Sequence, residues 1–442
     1  MENQEKLHKQ ITGSVTFKLA IIVILTLLLL IPAGMIQNMI REREQRRDET
    51  ITEVTSKWGN TQILCGPVLT IPYKTYTKTK DGIDTYVCFA HFLPTMLDVS
   101  GIVTPEIRHR GIYKVIAYNA RLSFQGSFEA VNLKALSINP ADILWEEATV
   151  EIGIPDMRGI NQSIAIEWNR NIIPVMPGIP ANGINSSGVY ASVPVTENET
   201  SGFSFDLDLN GSHSLNIVPL GKETRMNISS PWKSPSFTGA FLPDEHQISD
   251  TGFTARWNIL QFNRNYPQQW IGNNIKTGDS AFGVDLIVPV DTYQKSMRSA
   301  KYAILFIALT FLILFFAEVI RKTSIHPIQY LLVGIALSIF YTLLTALSEH
   351  ISFALSYLIA SVVIITLISL FTRSLYKNVR ISAAVAGSLI VLYVFLFVVL
   401  QLTDYALLFG STGLVLVLAV VMYFSRKIDW YATVNDRNNN VK

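Results

Sequence analysis

Apolar and polar positions change their spacing twice along this chain. Residues 17–36 form one nearly unbroken apolar stretch, and a helix of about 20 such residues spans the roughly 30 Å hydrocarbon core of a bilayer. Residues 39–58 lack Gly and Pro, place Ile51, Val54 and Trp58 at i, i+3 and i+7, and set Glu42 one turn before Arg46. That pattern predicts an amphipathic stalk that continues the first span outward, packs on the domain it introduces and stops at Gly59. Beyond Gly59 the spacing becomes strand-like. β-Branched and aromatic residues gather in 68–79 and 83–92, on either side of the hairpin signal Asp81-Gly82. They gather again in 112–124, 148–154, 163–168, 203–209, 215–220, 224–229, 253–260 and 282–290, with turn-rich spacers such as 174–188 between some of them. After residue 300 long apolar stretches return five times, over 303–320, 328–347, 351–371, 381–400 and 405–424.

These elements predict a membrane protein in three parts. An N-terminal transmembrane anchor helix (17–36) follows a short cytoplasmic N-terminus (1–16). A large, mainly antiparallel β extracytoplasmic domain with a helical stalk occupies 37–300, and a C-terminal bundle of five transmembrane helices (301–425) ends in a cytoplasmic tail (426–442). About ten short strands suit a sandwich or a barrel-like sheet. The first span is too long for a typical secretory signal core, and it ends at Ala33-Gly34-Met35 without a small-x-small cleavage pattern, so it reads as an uncleaved signal anchor.

Composition supports this division. Of 442 residues 49% are hydrophobic and 16% charged, against about 25% charged in ordinary globular chains, which argues against a wholly cytosolic protein; 23 Phe, 17 Tyr and 7 Trp exclude a disordered one. Residues 37–300 hold 23 Lys+Arg and 27 Asp+Glu, net −4, whereas the remainder holds 13 and 7, net +6. Orientation follows from where short loops keep their cations. Arg321 and Lys322, then Arg373, Lys377 and Arg380, then Arg426 and Lys427 alternate with the cation-free connections Ser348-Glu349-His350 and Gln401-Leu402-Thr403-Asp404. Both termini are therefore expected in the cytoplasm and 37–300 outside. Arg41, Arg43, Arg46 and Arg47 flank the first span on the opposite side from the rule, but they alternate with acids and lead into a long domain, where the rule weakens. The partner this implies is the lipid bilayer; no nucleic acid is expected.

The chemistry-bearing residues are sparse. Zinc-binding His-Glu-x-x-His, nucleophile-elbow, phosphate-loop and dinucleotide-loop patterns are missing from the sequence, so no catalytic, cofactor-binding or metal-binding residue is assigned and no cofactor is expected. Asp244-Glu245-His246 follows Pro243 in a turn-like stretch and reads as solvated charge; His91, His109 and His213 read as ordinary core or surface histidines. Cys65 and Cys88 are the only cysteines and could meet across the first hairpin. They read as either a structural disulfide or two buried free thiols. Glu318, Glu349 and Asp404 sit near helix ends, Glu318 one turn before Lys322, and the lack of a mid-span charge weighs against a proton-coupled path. Glu349 and His350 form a candidate exterior site, and His326 before Pro327 reads as a helix cap followed by Pro in the first turn.

The stretch 326–350, HPIQYLLVGIALSIFYTLLTALSEH, followed by ISFALSYLIA, resembles the signature membrane segment of the CreD family of bacterial inner-membrane, cell-envelope integrity proteins. RDETITEVTSKWG, GPVLTIPY, WKSPSFTGAFLP and GFTARWNI agree with it, so the resemblance runs through essentially the whole chain. It marks His326, Pro327, Trp232, Pro235, Phe237 and Gly239 as family-motif residues without an assigned role; Cys65 and Cys88 fall outside the motifs. The resemblance implies an inner-membrane protein with a periplasmic domain, associated with envelope integrity, colicin tolerance and stress response.

The functional expectation is a non-enzymatic protein that senses, scaffolds or binds envelope proteins or cell-wall components. A transporter or lipid-handling permease and a membrane-embedded cell-wall or lipid enzyme are the alternatives.

Overall fold

A computed structural model describes residues 15–426 apart from 80–81, 181–183, 273–274, 288–291, 322–324 and 403–404. Most of the expected N-terminus, the tail beyond Arg426, and the residues Asp81, Lys322 and Asp404 therefore lie outside the described residues. The chain divides into two compact units, one of residues 1–47 with 290–442 and one of residues 48–289.

In the first unit the helices are α1 (Val15–Leu28), α2 (Leu30–Trp58), α3 (Thr292–Lys301), α4 (Ala303–Arg321), α5 (Pro327–Ser348), α6 (Phe353–Tyr376), α7 (Val379–Gln401) and α8 (Ala406–Ser425). Pro32 explains why α1 and α2 part at Leu29: it has no N–H, and its ring crowds the carbonyl four residues back, at Leu28. Backbone bonds from Leu29 to Leu25 and from Ala33 to Leu29 carry the helix across the break. Five helices among the described residues are long and apolar enough to cross a membrane, and a sixth if α3 and α4, bent by 45°, count together. The first helix is a packed member of this bundle. A Cβ on Gly334 of α5 would come within 2.1 Å of Leu29 Cδ1 and 2.9 Å of Phe311 Cζ, so only glycine admits the Leu29 side chain there. The bundle centre is aromatic: Phe340 meets Tyr341, Tyr357 and Tyr393 edge-on at 4.9, 5.4 and 4.8 Å.

The second unit begins with the end of α2. Trp58 lies under the Arg108 guanidinium, 3.4 Å from its ring, and donates to the Tyr118 carbonyl, which ties the stalk to the sheet it introduces. Gly59 then turns the chain at φ +150, where a Cβ would strike the Asn210 carbonyl at 2.6 Å. Seventeen strands follow among the described residues. They are β1 (Gln62–Thr79), β2 (Gly82–Phe92), β3 (Met96–Arg110), β4 (Tyr113–Phe128), β5 (Thr149–Gly153), β6 (Ala165–Trp168), β7 (Asn171–Pro174), β8 (Met176–Pro177) and β9 (Gly188–Ser192). The remainder are β10 (Ser201–Ser212), β11 (Ser214–Ile217), β12 (Glu223–Ser230), β13 (Pro235–Gly239), β14 (Glu245–Ser249), β15 (Gly252–Leu260), β16 (Gln269–Ile271) and β17 (Phe282–Leu286).

They form a nine-stranded sheet, β13-β17-β11-β1-β5-β9-β8 with β2 and β16 branching from β1, and an eight-stranded sheet, β14-β15-β12-β3-β4-β10-β6-β7. All pairings are antiparallel except β1 with β11 and β3 with β12. Strand β15 alternates buried and exposed side chains with period two, and the inner faces of both sheets meet in one core that includes Val68, Val150, Phe124, Trp168 and Trp257. Of the two architectures the spacing allowed, this is the sandwich.

The structure corrects one expectation and decides one open choice. β3, 15 residues long, went unread because Gly101 and Pro105 interrupt its alternation. Both fit: a Cβ on Gly101 would strike the Arg121 carbonyl at 2.2 Å, and Pro105 lies past Ile102, where β12 stops pairing, so its missing N–H costs the sheet nothing. Of the two readings left open for the cysteines, a disulfide or two buried free thiols, the structure has two free thiols, Cys65 buried and Cys88 half-buried. β1 does pair with β2, but Cys88 stands opposite Tyr73, while Cys65, eight residues earlier on β1, stands opposite Gly153 of β5.

Candidate functional site

Three polar clusters were legible in part from the sequence. Glu349 follows the end of α5, and its Oε1 accepts from Tyr293 Oη of α3 at 3.0 Å, with Arg43 Nε of α2 at 3.9 Å. Arg47 sits 5.4 Å from the centre of the Tyr293 ring. The neighbouring His350 is exposed. Glu349 and His350, singled out together, thus differ: the carboxylate joins a network from three helices, while His350 is exposed.

The second cluster lies at the other end of α5. Glu318 of α4, 2% exposed, accepts from Lys18 Nζ of α1 at 2.5 Å, from Tyr330 Oη at 2.7 Å and from the Ile325 backbone at 3.2 Å. The sequence pointed to Lys322 as its companion, which lies outside the described residues; Lys18, 300 positions away, is a partner no local pattern could reveal. Three donors around one carboxylate are what a buried charge requires. His326 does cap α5, its Nδ1 accepting from Ile328 N at 3.3 Å while its own N–H donates to Gln329, with Pro327 in the first turn. His326 and Glu349 are separated by the 22 residues of α5, about 33 Å at 1.5 Å per residue, so they do not form one site.

The third cluster is inside the sandwich. His91 on β2 stands opposite both Thr70 of β1 and Trp270 of β16, and its Nδ1 lies 3.0 Å from Thr70 Oγ1. Glu151 on β5 is wholly buried, with Thr70 and the Ile184 backbone as its near donors but, among the described residues, no hydrogen bond of good geometry to either carboxylate oxygen. Burial drives its carboxyl up to about 7, with Thr70 and the Ile184 backbone drawing it down only in part. Nearby, burial pushes the Cys65 thiol up to about 11, so at neutral pH it is protonated and a poor nucleophile. Burial also lowers His213, against the charges of Asp285 and Asp48.

The motif residues 232–239 lead into and form β13, an edge strand of the nine-stranded sheet. Trp232 is pinned by Nε1 to the Ser234 carbonyl at 3.1 Å, and Pro235 pairs with Leu286 of β17. Phe237 reaches Phe253 and Trp257 of the opposite sheet, each at 5.8 Å, and His246 at 5.2 Å. Gly239 turns at φ +96, where a Cβ would meet the Ala281 carbonyl at 2.2 Å. Asp244-Glu245-His246 lies at and beside the exposed edge strand β14: Asp244 accepts from Asn258 N at 2.7 Å, and Glu245 faces Arg256 at 3.6 Å.

A bundle of apolar helices joined by one long helix to a two-sheet sandwich defines a multi-pass membrane protein with a large β domain. Residues 14–431 match the family model described as "Inner membrane protein CreD". The curated inner membrane protein CreD of Escherichia coli (strain K12) is 34% identical over 416 residues, covering 92% of this chain and 91% of that protein. The chain belongs to the CreD family of inner membrane proteins. Among solved structures, an M1 zinc metallopeptidase from Deinococcus radiodurans is similar over 44% of this chain and 42% of that one, at 10% identity and a TM-score of 0.22, a likeness too slight to argue from.

Proposed function

We propose that this protein supports cell-envelope integrity as a non-enzymatic scaffold or sensor, with the sandwich on the periplasmic side and both termini in the cytoplasm. The observation that carries the reading is the insertion of a complete two-sheet sandwich, residues 48–289, between the first apolar helix and the others. The alternation of Arg373, Lys377 and Arg380 with the cation-free turn Ser348-Glu349-His350 supports the orientation. The polar groups that chemistry would need are committed elsewhere: Glu349 to Tyr293 and Arg43, Glu318 to Lys18 and Tyr330, and the Cys65 thiol to its protonated form. The aromatic packing around Phe340 favours a rigid bundle over a transport path.

Deletion of the gene, followed by measurement of dye entry and β-lactam sensitivity under envelope stress, tests the reading. Increased permeability that is restored by the wild-type chain and equally by Glu349→Gln and His350→Ala is the expected result. Unchanged permeability on deletion would remove the envelope role, and loss of rescue by either variant would favour chemistry at that pair.

A further inference from the structure

Among the described residues, the end of the helical unit that holds Glu349 has more cations than carboxylates paired with them. Arg46 and Arg47 are held by Glu42 and Glu44, at 2.6 and 3.7 Å, and Arg43 faces Glu349. Arg41, Lys295, Arg298 and Lys301 have no carboxylate partner among the described residues. Arg41 donates to Asn38 Oδ1 at 3.0 Å, Lys295 to Gln401 Oε1 at 3.1 Å and Arg298 to the Leu402 carbonyl at 3.2 Å. An arginine has five N–H donors and a lysine three, so each of these groups keeps donors to spare.

Contacts among α2, α3 and α7 bring these cations to the same end of the unit. Gln37 reaches the Ala300 carbonyl at 3.4 Å and Arg47 reaches the Tyr293 ring, so α3 runs antiparallel beside α2. Gln401 and Leu402 mark where the apolar run of α7 stops. Lys295 and Arg298 therefore stand beside the polar end of α7, and Lys301 follows Ala300, the partner of Gln37 just beyond the apolar run of the first span. α3 buries Tyr293, Ser296, Ser299 and Ala300 within the unit and leaves Lys301 exposed.

We propose that these cations form a binding surface for anionic phospholipid headgroups, with Arg41, Lys295, Arg298 and Lys301 meeting the lipid phosphate. Guanidinium and phosphate match in charge and in bidentate geometry, and the proposal holds whichever leaflet this end meets. It also gives a reason for cations on the flank where the loop rule disfavours them.

The test uses the full-length chain in nanodiscs of phosphatidylcholine alone or mixed equally with phosphatidylglycerol, with co-purifying lipid counted by native mass spectrometry. The wild type should retain phosphatidylglycerol preferentially, and R41Q/K301Q should weaken that retention by about fivefold per cation removed. R41K/R298K, which keeps the charge but not the guanidinium fork, should retain more of the preference than R41Q/K301Q does. Both residues of the R41Q/K301Q pair are exposed, so that variant is expected to fold. Equal retention of the two lipids by the wild type, an undiminished preference in R41Q/K301Q, or abolition of the preference by millimolar inorganic phosphate alone would overturn the proposal.

Discussion

Glu151 and Glu318 are both buried carboxylates, and the two units of this protein accommodate them in opposite ways. Glu318, among the apolar helices, gathers a lysine, a tyrosine and a backbone N–H. Glu151, on a central strand of the sandwich, has no cation and, among the described residues, no hydrogen bond of good geometry, only Thr70 and the Ile184 backbone close by, and its carboxyl is raised to about 7. A buried charge is tolerated only when paired, and an unpaired carboxyl takes up a proton instead. The helical unit solves the problem with a partner from across the chain, and the sandwich by holding the carboxyl high enough that it is about half protonated at neutral pH.

Breaking the Glu318 pair should have the larger effect. Lys18→Met leaves the carboxylate buried without its cation, and removing one partner of such a pair costs about 4 kcal/mol. Thermal unfolding of the detergent-solubilised protein should show this as a large fall in midpoint. A change too small to measure would mean the carboxylate is held by Tyr330 and Ile325 alone.

For Glu151 the sign follows from a folded value near 7 against an ordinary value near 4.5. Between those limits the folded state binds more protons than the unfolded chain, so stability is full below about 4.5, falls as pH rises, and levels off above about 7. The gap corresponds to about 3 kcal/mol. Glu151→Gln should remove that slope and leave the protein more stable than wild type at pH 8, read from midpoints at pH 5 and pH 8. Parallel profiles for the two proteins would show that the carboxyl is ionised in the fold.

The smallest effect is expected at the open network. Tyr293→Phe removes one hydrogen bond to Glu349 while Arg43 remains nearby, a loss of about 1 kcal/mol. A loss as large as that of Lys18→Met would make the two ends of α5 equivalent.

The contrast also explains what the sequence revealed. The spans and the longer strands were legible because burial imposes a period on the side chains nearest each other in the chain. The stalk's stop at Gly59 and the His326-Pro327 cap were legible for the same local reason. β3 was hidden by Gly101 and Pro105, and β7, β8, β9, β13, β14 and β16, two to five residues each, are too short to show a period. The Lys18–Glu318 pair and the separation of Cys65 from Cys88 depend on register and on contacts across hundreds of residues. The isolation of Glu151 is likewise a property of packing, since nothing around it in the sequence differs from a half-exposed strand glutamate.

The account rests most heavily on which side of the membrane holds the sandwich. Ile172 on β7 is 78% exposed, so Ile172→Cys in a Cys65→Ala, Cys88→Ala background offers a thiol on the sandwich surface. Treatment of intact spheroplasts with a membrane-impermeant maleimide should label it without lysis. Labelling that appears only after the cells are broken would put the sandwich in the cytoplasm and contradict the account.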